Sequence, residues 1–89
     1  MLPSLATAQT ADLDERFKDA YNTINSASSS NAEIDGAINA MQALSRSGSP
    51  YASNFLGALY TYGEHGLEQN LTKAEALFLS AYESDIDNI

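Results

Sequence analysis

The chain of 89 residues contains no cysteine, no tryptophan and only one histidine. Without cysteine it can form no disulfide, no thiolate metal site and no cysteine nucleophile. His65, even with Glu64 and Glu68 beside it, falls short of the usual zinc ligand set. The phosphate-binding patterns GxxxxGK[ST] and GxGxxG are also missing. We therefore expect no metal, no cofactor and no catalytic residue, and we predict that the chain is not an enzyme.

Basic residues are scarce as well. Four lysines and arginines stand against 12 acidic residues, which gives a formal net charge of −8 and a pI of about 4.1. Nucleic acid and anionic membranes would repel such a surface. No apolar run approaches the ~20 residues that a membrane-spanning helix needs. The acidic surface suits basic partners or cations, or it serves solubility alone.

Apolar residues, in contrast, are abundant enough for a core. They make up 44% of the chain, so we expect one small folded domain. Residues 1–11 show no helical periodicity and are predicted to be a disordered tail or a signal-peptide remnant, since Ala6-Thr7-Ala8 resembles a signal-peptidase site. The second alternative predicts a periplasmic or secreted protein, and the first is compatible with a cytoplasmic one.

Polar capping residues and apolar periodicity predict four helices and an all-α fold of antiparallel helix pairs. The first is expected to begin at a capping box of Asp12 and Glu15, and the second at a box of Ser30 and Glu33. The third is expected to run from Ser49-Pro50 to Gly63, and the fourth to begin at a box of Thr72 and Glu75. The predicted core faces are Leu13, Phe17, Ala20, Tyr21 and Ile24; Ile34, Ala37, Ile38, Met41 and Leu44; Ala52, Phe55, Leu56, Leu59 and Tyr60; and Ala74, Leu77, Phe78, Ala81 and Tyr82.

The second and fourth predicted helices align at a spacing of 37 residues. Ala37 then matches Ala74, Met41 matches Phe78, and Leu44 matches Ala81. A period in this range is typical of helical solenoids. We therefore predict a degenerate first repeat over residues 12–48, a second repeat over 49–83, and residues 84–89 as a tail or the start of a further helix.

The second repeat resembles a known family. The segment from Ala52 to Gly63 contains the pattern LG-x-LY-x-x-G, and Gly66-Leu67, Lys73-Ala74 and Ala81 follow it. This pattern resembles the Sel1-like repeat, a relative of the tetratricopeptide repeat. The chain departs from the family by placing two residues, not one, between the loop glycines. The resemblance covers residues 50–82 best, and residues 33–48 look like the back half of a preceding repeat.

The resemblance implies a short α/α solenoid that acts as an adaptor or in assembly, often in bacterial envelopes. Gly57 in the middle of the third helix fits this expectation, because it would let the partner helix approach closely, near Ala74 and Ala81. The leading hypothesis is a non-enzymatic module that binds a protein or peptide, including an inhibitor or immunity-type binder. The alternative is a structural scaffold that assembles with itself into a homo-oligomer. The predicted binding face on the third helix consists of Tyr51, Asn54, Thr61 and Tyr62.

Overall fold

Four α-helices make up the computed structural model, which describes the backbone of residues 5–87 and the side chains of residues 12–84. These helices are α1 (Leu5–Asn25), α2 (Asn31–Arg46), α3 (Pro50–Tyr62) and α4 (Leu71–Asp87). No strand occurs within residues 5–87. The predicted all-α class of packed helix pairs is confirmed.

The helices pack in chain order. α1 packs on α2, α2 on α3 and α3 on α4, and α1 also touches α3. Within the described residues, α4 approaches α3 alone. The molecule measures 45 × 30 × 15 Å, and its smallest dimension is little more than the ~10–12 Å diameter of one helix with its side chains. Such a thin arrangement leaves each helix with a side exposed to solvent.

The core lies between the first three helices. Its central side chains are Met41 and Leu56, which are fully buried. The rest of the buried cluster comprises Ala20, Ile24, Ala37, Ile38, Leu44, Ala52 and Leu59, and Leu13, Phe17, Ile34, Phe55, Leu67 and Leu77 pack around it. Apart from Leu67 in the loop after α3 and Leu77 on α4, these positions follow the predicted apolar faces of α1, α2 and α3.

Three predicted helix ends are confirmed. Ser30 and Glu33 form a reciprocal capping box at the start of α2. Ser49 caps α3, with Pro50 as its first residue. Gly63 adopts the left-handed conformation (φ 67°) at the end of α3, and the N–H groups of Gly63 and Glu64 both donate to the Leu59 carbonyl. These bonds satisfy a carbonyl that the end of the helix would leave without a partner.

The predicted start of α1 at Asp12 is wrong. The helix already begins at Leu5, because Leu5, Ala6, Ala8 and Ala11 are good helix formers even without an apolar stripe. Asp12 therefore lies inside the helix, where it pairs with Arg16 (Nε to Oδ2, 3.1 Å). The predicted disordered tail is thus wrong for residues 5–11, and residues 1–4 lie outside the described residues.

Both predicted ends of α4 also need correction. The helix starts at Leu71, and Asn70 is its cap, since its Oδ1 accepts the N–H of Lys73 at 3.0 Å. Thr72 lies within the helix, so the predicted box with Glu75 does not mark its start. Residues 84–87 continue α4, which excludes both a separate tail and a new helix there. Residues 88 and 89 lie outside the described range.

Three aromatic residues of the predicted core faces are more exposed than expected. Tyr21, Phe78 and Tyr82 all keep more than a third of their surface in solvent. Tyr60, in contrast, is buried as predicted. For Phe78 and Tyr82 the difference arises because α3 has neighbours on two sides, whereas the far side of α4 has none among the described residues.

Gly57 does allow a close helix approach, but its neighbour is Phe78. A β-carbon at position 57 would lie 2.7 Å from a ring carbon of Phe78. The predicted close contact is therefore confirmed, and the atoms nearest to the Gly57 β-carbon position belong to the Phe78 ring and not to Ala74 or Ala81. The absence of a side chain at Gly57 creates the space in which that ring lies.

Candidate functional site

The four residues of the predicted binding face all lie on α3, but they occupy two places. Tyr51 and Asn54 are exposed near the start of the helix. Thr61 and Tyr62 lie at its end, roughly 16 Å further along at 1.5 Å per residue. Tyr51 is 56% exposed and Tyr62 is 72% exposed. The structure thus presents both tyrosines to solvent without bringing them together.

Thr61 is engaged within the fold. Its hydroxyl donates to the Gly57 carbonyl at 2.8 Å, and its own carbonyl accepts the side-chain amide of Gln69 at 3.0 Å. The second contact helps to hold the loop between α3 and α4 against the helix end, together with a bond from the Asn70 N–H to the Tyr60 carbonyl. The Thr61 hydroxyl is therefore bonded to its own helix, and the contact with the loop is made by the Thr61 carbonyl and not by its side chain.

Tyr51 and Asn54 line a shallow groove between α3 and α4. The space measures about 300 Å³. We call it the α3–α4 groove, and its lining residues are Pro50, Tyr51, Asn54, Phe78, Ala81 and Tyr82. All six are uncharged, and three of them are aromatic.

Local sequence explains how the groove is built. The Ser49 cap and Pro50 fix the start of α3, which places Tyr51 and Asn54 in the first turns. Phe78 and Tyr82 are four residues apart on α4 and so lie on one side of it. Gly57 lets the Phe78 ring lie against the α3 backbone, where the ring remains 41% exposed. Tyr82 is 64% exposed at the edge of the groove.

An aromatic cluster continues from this groove toward α1. The Tyr51 ring lies 5.7 Å from the Phe17 ring, and Phe17 in turn contacts Tyr21 and Phe55. The Tyr21 and Phe55 rings meet edge to face at 5.5 Å. Such pairs orient the rings and limit their motion, so Tyr51 is held in place on the side that faces α1.

Three carboxylates and one ammonium group lie on the helix surfaces that carry or adjoin the groove residues. Glu75 and Glu83 are exposed on α4, in the helix row beside Phe78 and Tyr82. Asp14 and Lys18 of α1 lie beside Tyr51 and Phe17. Lys73 is engaged elsewhere on α4, with its ammonium 4.7 Å from the centre of the Tyr60 ring.

A second depression lies between α1 and α2. This α1–α2 groove measures about 530 Å³. Its floor includes four alanines, and its rim carries Arg16, Asp19 and Glu33. Hydrogen bonds from the backbone N–H and the side chain of Ser30 hold the pKa of Glu33 below its usual value of 4.5. The rim is therefore charged, in contrast to the α3–α4 groove.

Among the described side chains, no three His, Asp or Glu residues come close enough to hold a metal ion. His65 is an exposed loop residue with a positive φ of 55°. The α3–α4 groove offers aromatic faces, phenol hydroxyls and one amide, which are groups that bind other molecules.

In the described part of the chain, no helix combines the length and the apolar character required to cross a bilayer.

Sequence reasoning missed Phe78 and Tyr82 as surface residues. The apolar period of α4 correctly placed them near α3, but a period shows only that a face is apolar. It does not show whether a second neighbour covers that face. The repeat alignment matches Phe78 with Met41. The burial of these two residues could be compared only after the packing of the helices was known.

No family model, curated protein or solved structure matches the chain. The Sel1-like assignment therefore rests on the motif residues alone and stays a prediction.

Proposed function

We propose that the chain is a non-enzymatic protein-binding module of the Sel1-like type, and that the α3–α4 groove is the centre of its binding surface. The observation that carries this proposal is the uncharged aromatic lining of the groove on an otherwise acidic chain. Tyrosine and phenylalanine supply large contact areas at low entropic cost and are enriched where proteins meet.

The packing of the helices supports the same function. Consecutive helices pack in chain order, as they would in a short solenoid. In such an arrangement a surface formed by two packed helices is available to a partner. Tyr62 lies roughly 16 Å further along α3 than Tyr51, outside the groove, so the proposed surface does not include it.

The proposal is tested by quantitative capture of proteins from the native source on immobilised chain. Tyr51→Ala and Tyr82→Ala should each reduce recovery of the main partner, because both remove aromatic area from the groove. Tyr62→Ala is the matched control, since it removes an even more exposed tyrosine that lies outside the groove. Equal recovery on all three variants and the unmodified chain would contradict the proposal.

Self-assembly is the alternative function. The α1–α2 groove could receive the exposed aromatic residues of α4 from a second copy, which would produce head-to-tail stacking. The charged rim of that groove and the net charge of −8 on each copy oppose it. Light scattering over a wide concentration range distinguishes the two, because a scaffold grows with concentration and a monomeric binder does not.

Export is part of the same proposal, favoured by the Ala6-Thr7-Ala8 pattern. If the chain is processed there, N-terminal sequencing of the protein from its source should find a mature start near Gln9.

A further inference from the structure

The 37-residue offset allows equivalent positions in the two hairpins to be compared for burial. Ala37 and Ala74 are buried in both hairpins, and so are Leu44 and Ala81. Met41 and Phe78 differ, because Met41 is 0% exposed and Phe78 is 41% exposed. Equivalent positions with such unequal burial differ in what lies over them.

Met41 belongs to the core cluster that α3 completes. α3 packs on α2, and Ala52, Leu56 and Leu59 of α3 share the cluster with Met41. α3 also reaches α1, where the Tyr51 ring contacts the Phe17 ring. The hairpin of α1 and α2 therefore provides the surface on which α3 packs, and we call such a surface a seat. The equivalent seat on the hairpin of α3 and α4 is the α3–α4 groove, and nothing occupies it among the described residues.

We propose that the α3–α4 groove binds an amphipathic helix of a partner protein, seated as α3 is seated on the first hairpin, and that basic residues flank the apolar face of this helix. The proposal deepens the proposed function by naming the form and the charge of the ligand.

The chemistry of the groove fits such an occupant. Phe78 and Tyr82 provide a ridge one helix turn long, and Ala81 leaves room at its base. A helix with small and branched apolar residues would fill this shape, as Ala52 and Leu56 of α3 fill the first seat. Asn54 at the edge can donate to or accept from polar groups that border the apolar face of the ligand.

The charge distribution decides between a foreign helix and a second copy. The groove is uncharged, and the exposed carboxylates Glu75 and Glu83 are on the helix that bears Phe78 and Tyr82. Basic side chains on both flanks of a ligand helix would be attracted to this acidic surface. A second copy carries the same net charge of −8 and would be repelled, so the charges favour a basic partner.

The test uses a synthetic peptide of residues 49–63, which form α3 and its caps, extended by lysines at both ends. Its binding to the full chain is measured by NMR chemical-shift titration. The expected result is saturable binding with shifts centred on Phe78 and Tyr82. Tyr82→Glu should weaken binding roughly tenfold or more, which corresponds to about 1.4 kcal/mol. Tyr62→Glu introduces the same charge at a similarly exposed tyrosine outside the groove and should leave the affinity within about twofold, an effect well below 1 kcal/mol.

Two peptide controls separate shape from charge. The same peptide flanked by glutamates should bind more weakly. Added salt should reduce the difference in affinity between the two peptides, because salt screens exposed charges. A lysine-flanked peptide of scrambled sequence should not produce saturable shifts at the groove. Equal binding of the scrambled peptide, or equal loss in Tyr62→Glu and Tyr82→Glu, would overturn the proposal.

Sedimentation of the chain without peptide tests whether a second copy of the chain occupies the groove. A dimer that Tyr82→Glu abolishes would show that a second copy fills the groove, and this would overturn the proposal. If the peptide fails to bind while a captured partner still depends on Tyr51 and Tyr82, the helical ligand is wrong and the binding function stands. If capture is insensitive to both tyrosines, the proposed function itself is wrong.

Discussion

Gly57 shows at the level of one residue how sequence sets the distance between α3 and α4. Glycine inside a helix costs roughly 1 kcal/mol relative to alanine, and at Gly57 a close contact offsets this cost. That contact is the Phe78 ring, which occupies the space that a β-carbon would take. Gly36, inside α2, has nothing within 4 Å of its own β-carbon position and provides a natural comparison.

Substitutions at the two glycines should therefore have opposite effects. We expect Gly36→Ala to stabilise the fold by up to about 1 kcal/mol through helix propensity. Gly57→Leu should destabilise it by roughly 1–3 kcal/mol because it forces Phe78 away from α3. Urea unfolding of both variants measures the difference. A Gly57→Leu variant as stable as the original chain would show that the contact with Phe78 is not tight.

The contribution of the Glu33 side chain to stability depends on pH. The Ser30 backbone N–H donates to its carboxylate at 3.0 Å, which lowers its pKa from 4.5. Because the pKa is lower in the folded state than in the unfolded state, the stabilisation by Glu33 is present above the unfolded value and is lost as the pH falls through the folded value.

The stability difference between the original chain and Glu33→Ala should consequently shrink in acid. Urea unfolding at neutral pH and near pH 3, below the ordinary range of glutamate, gives this difference directly. Asp35→Ala, which removes a carboxylate from the same helix, controls for net charge. An equal effect of Glu33→Ala at both pH values would contradict a role for the ionised carboxylate in the cap.

At the scale of helices, the ends of α4 show where capping signals compete. Asn70 and Thr72 are both residues that favour N-caps, and only the structure shows that Asn70 accepts the N–H of Lys73. Asn70→Ala should destabilise the protein by about 1 kcal/mol through loss of this bond. Thr72→Ala, at an exposed position within the helix, should change stability by less than about 0.5 kcal/mol. Thermal unfolding compares the two variants. A larger loss of stability in Thr72→Ala than in Asn70→Ala would support the start of α4 that was predicted from the sequence.

The helices also differ in how well sequence predicted them. α2 was predicted closely because Ser30 and Glu33 mark its start and its single apolar face has a neighbour at every position. The start of α1 was not, since the alanine-rich segment before Asp12 forms helix without any apolar period. Tyr51 and Asn54 could be placed on one exposed side of α3 from spacing alone. Phe78 and Tyr82 could not, because their exposure depends on a missing neighbour and not on their own helix.

The large buried apolar side chains are unevenly distributed among the helices. α2 lies between α1 and α3 and buries Ile38, Met41 and Leu44. α4 has α3 as its neighbour and buries mainly the small residues Ala74 and Ala81. Since buried apolar area drives stability, the two helices should not open with the same free energy.

Native-state hydrogen exchange should reveal this gradient. We expect the amides in the middle of α2 to exchange through global unfolding, and those of α4 to exchange through a local opening of lower free energy. Saturation with the lysine-flanked α3 peptide should raise protection in α4 more than in α2, because the peptide would supply the neighbour that α4 lacks. Equal protection of α2 and α4 in the free chain would show instead that contacts with α3 alone hold α4 as firmly as the core, and that the groove is the rigid edge of a single cooperative unit.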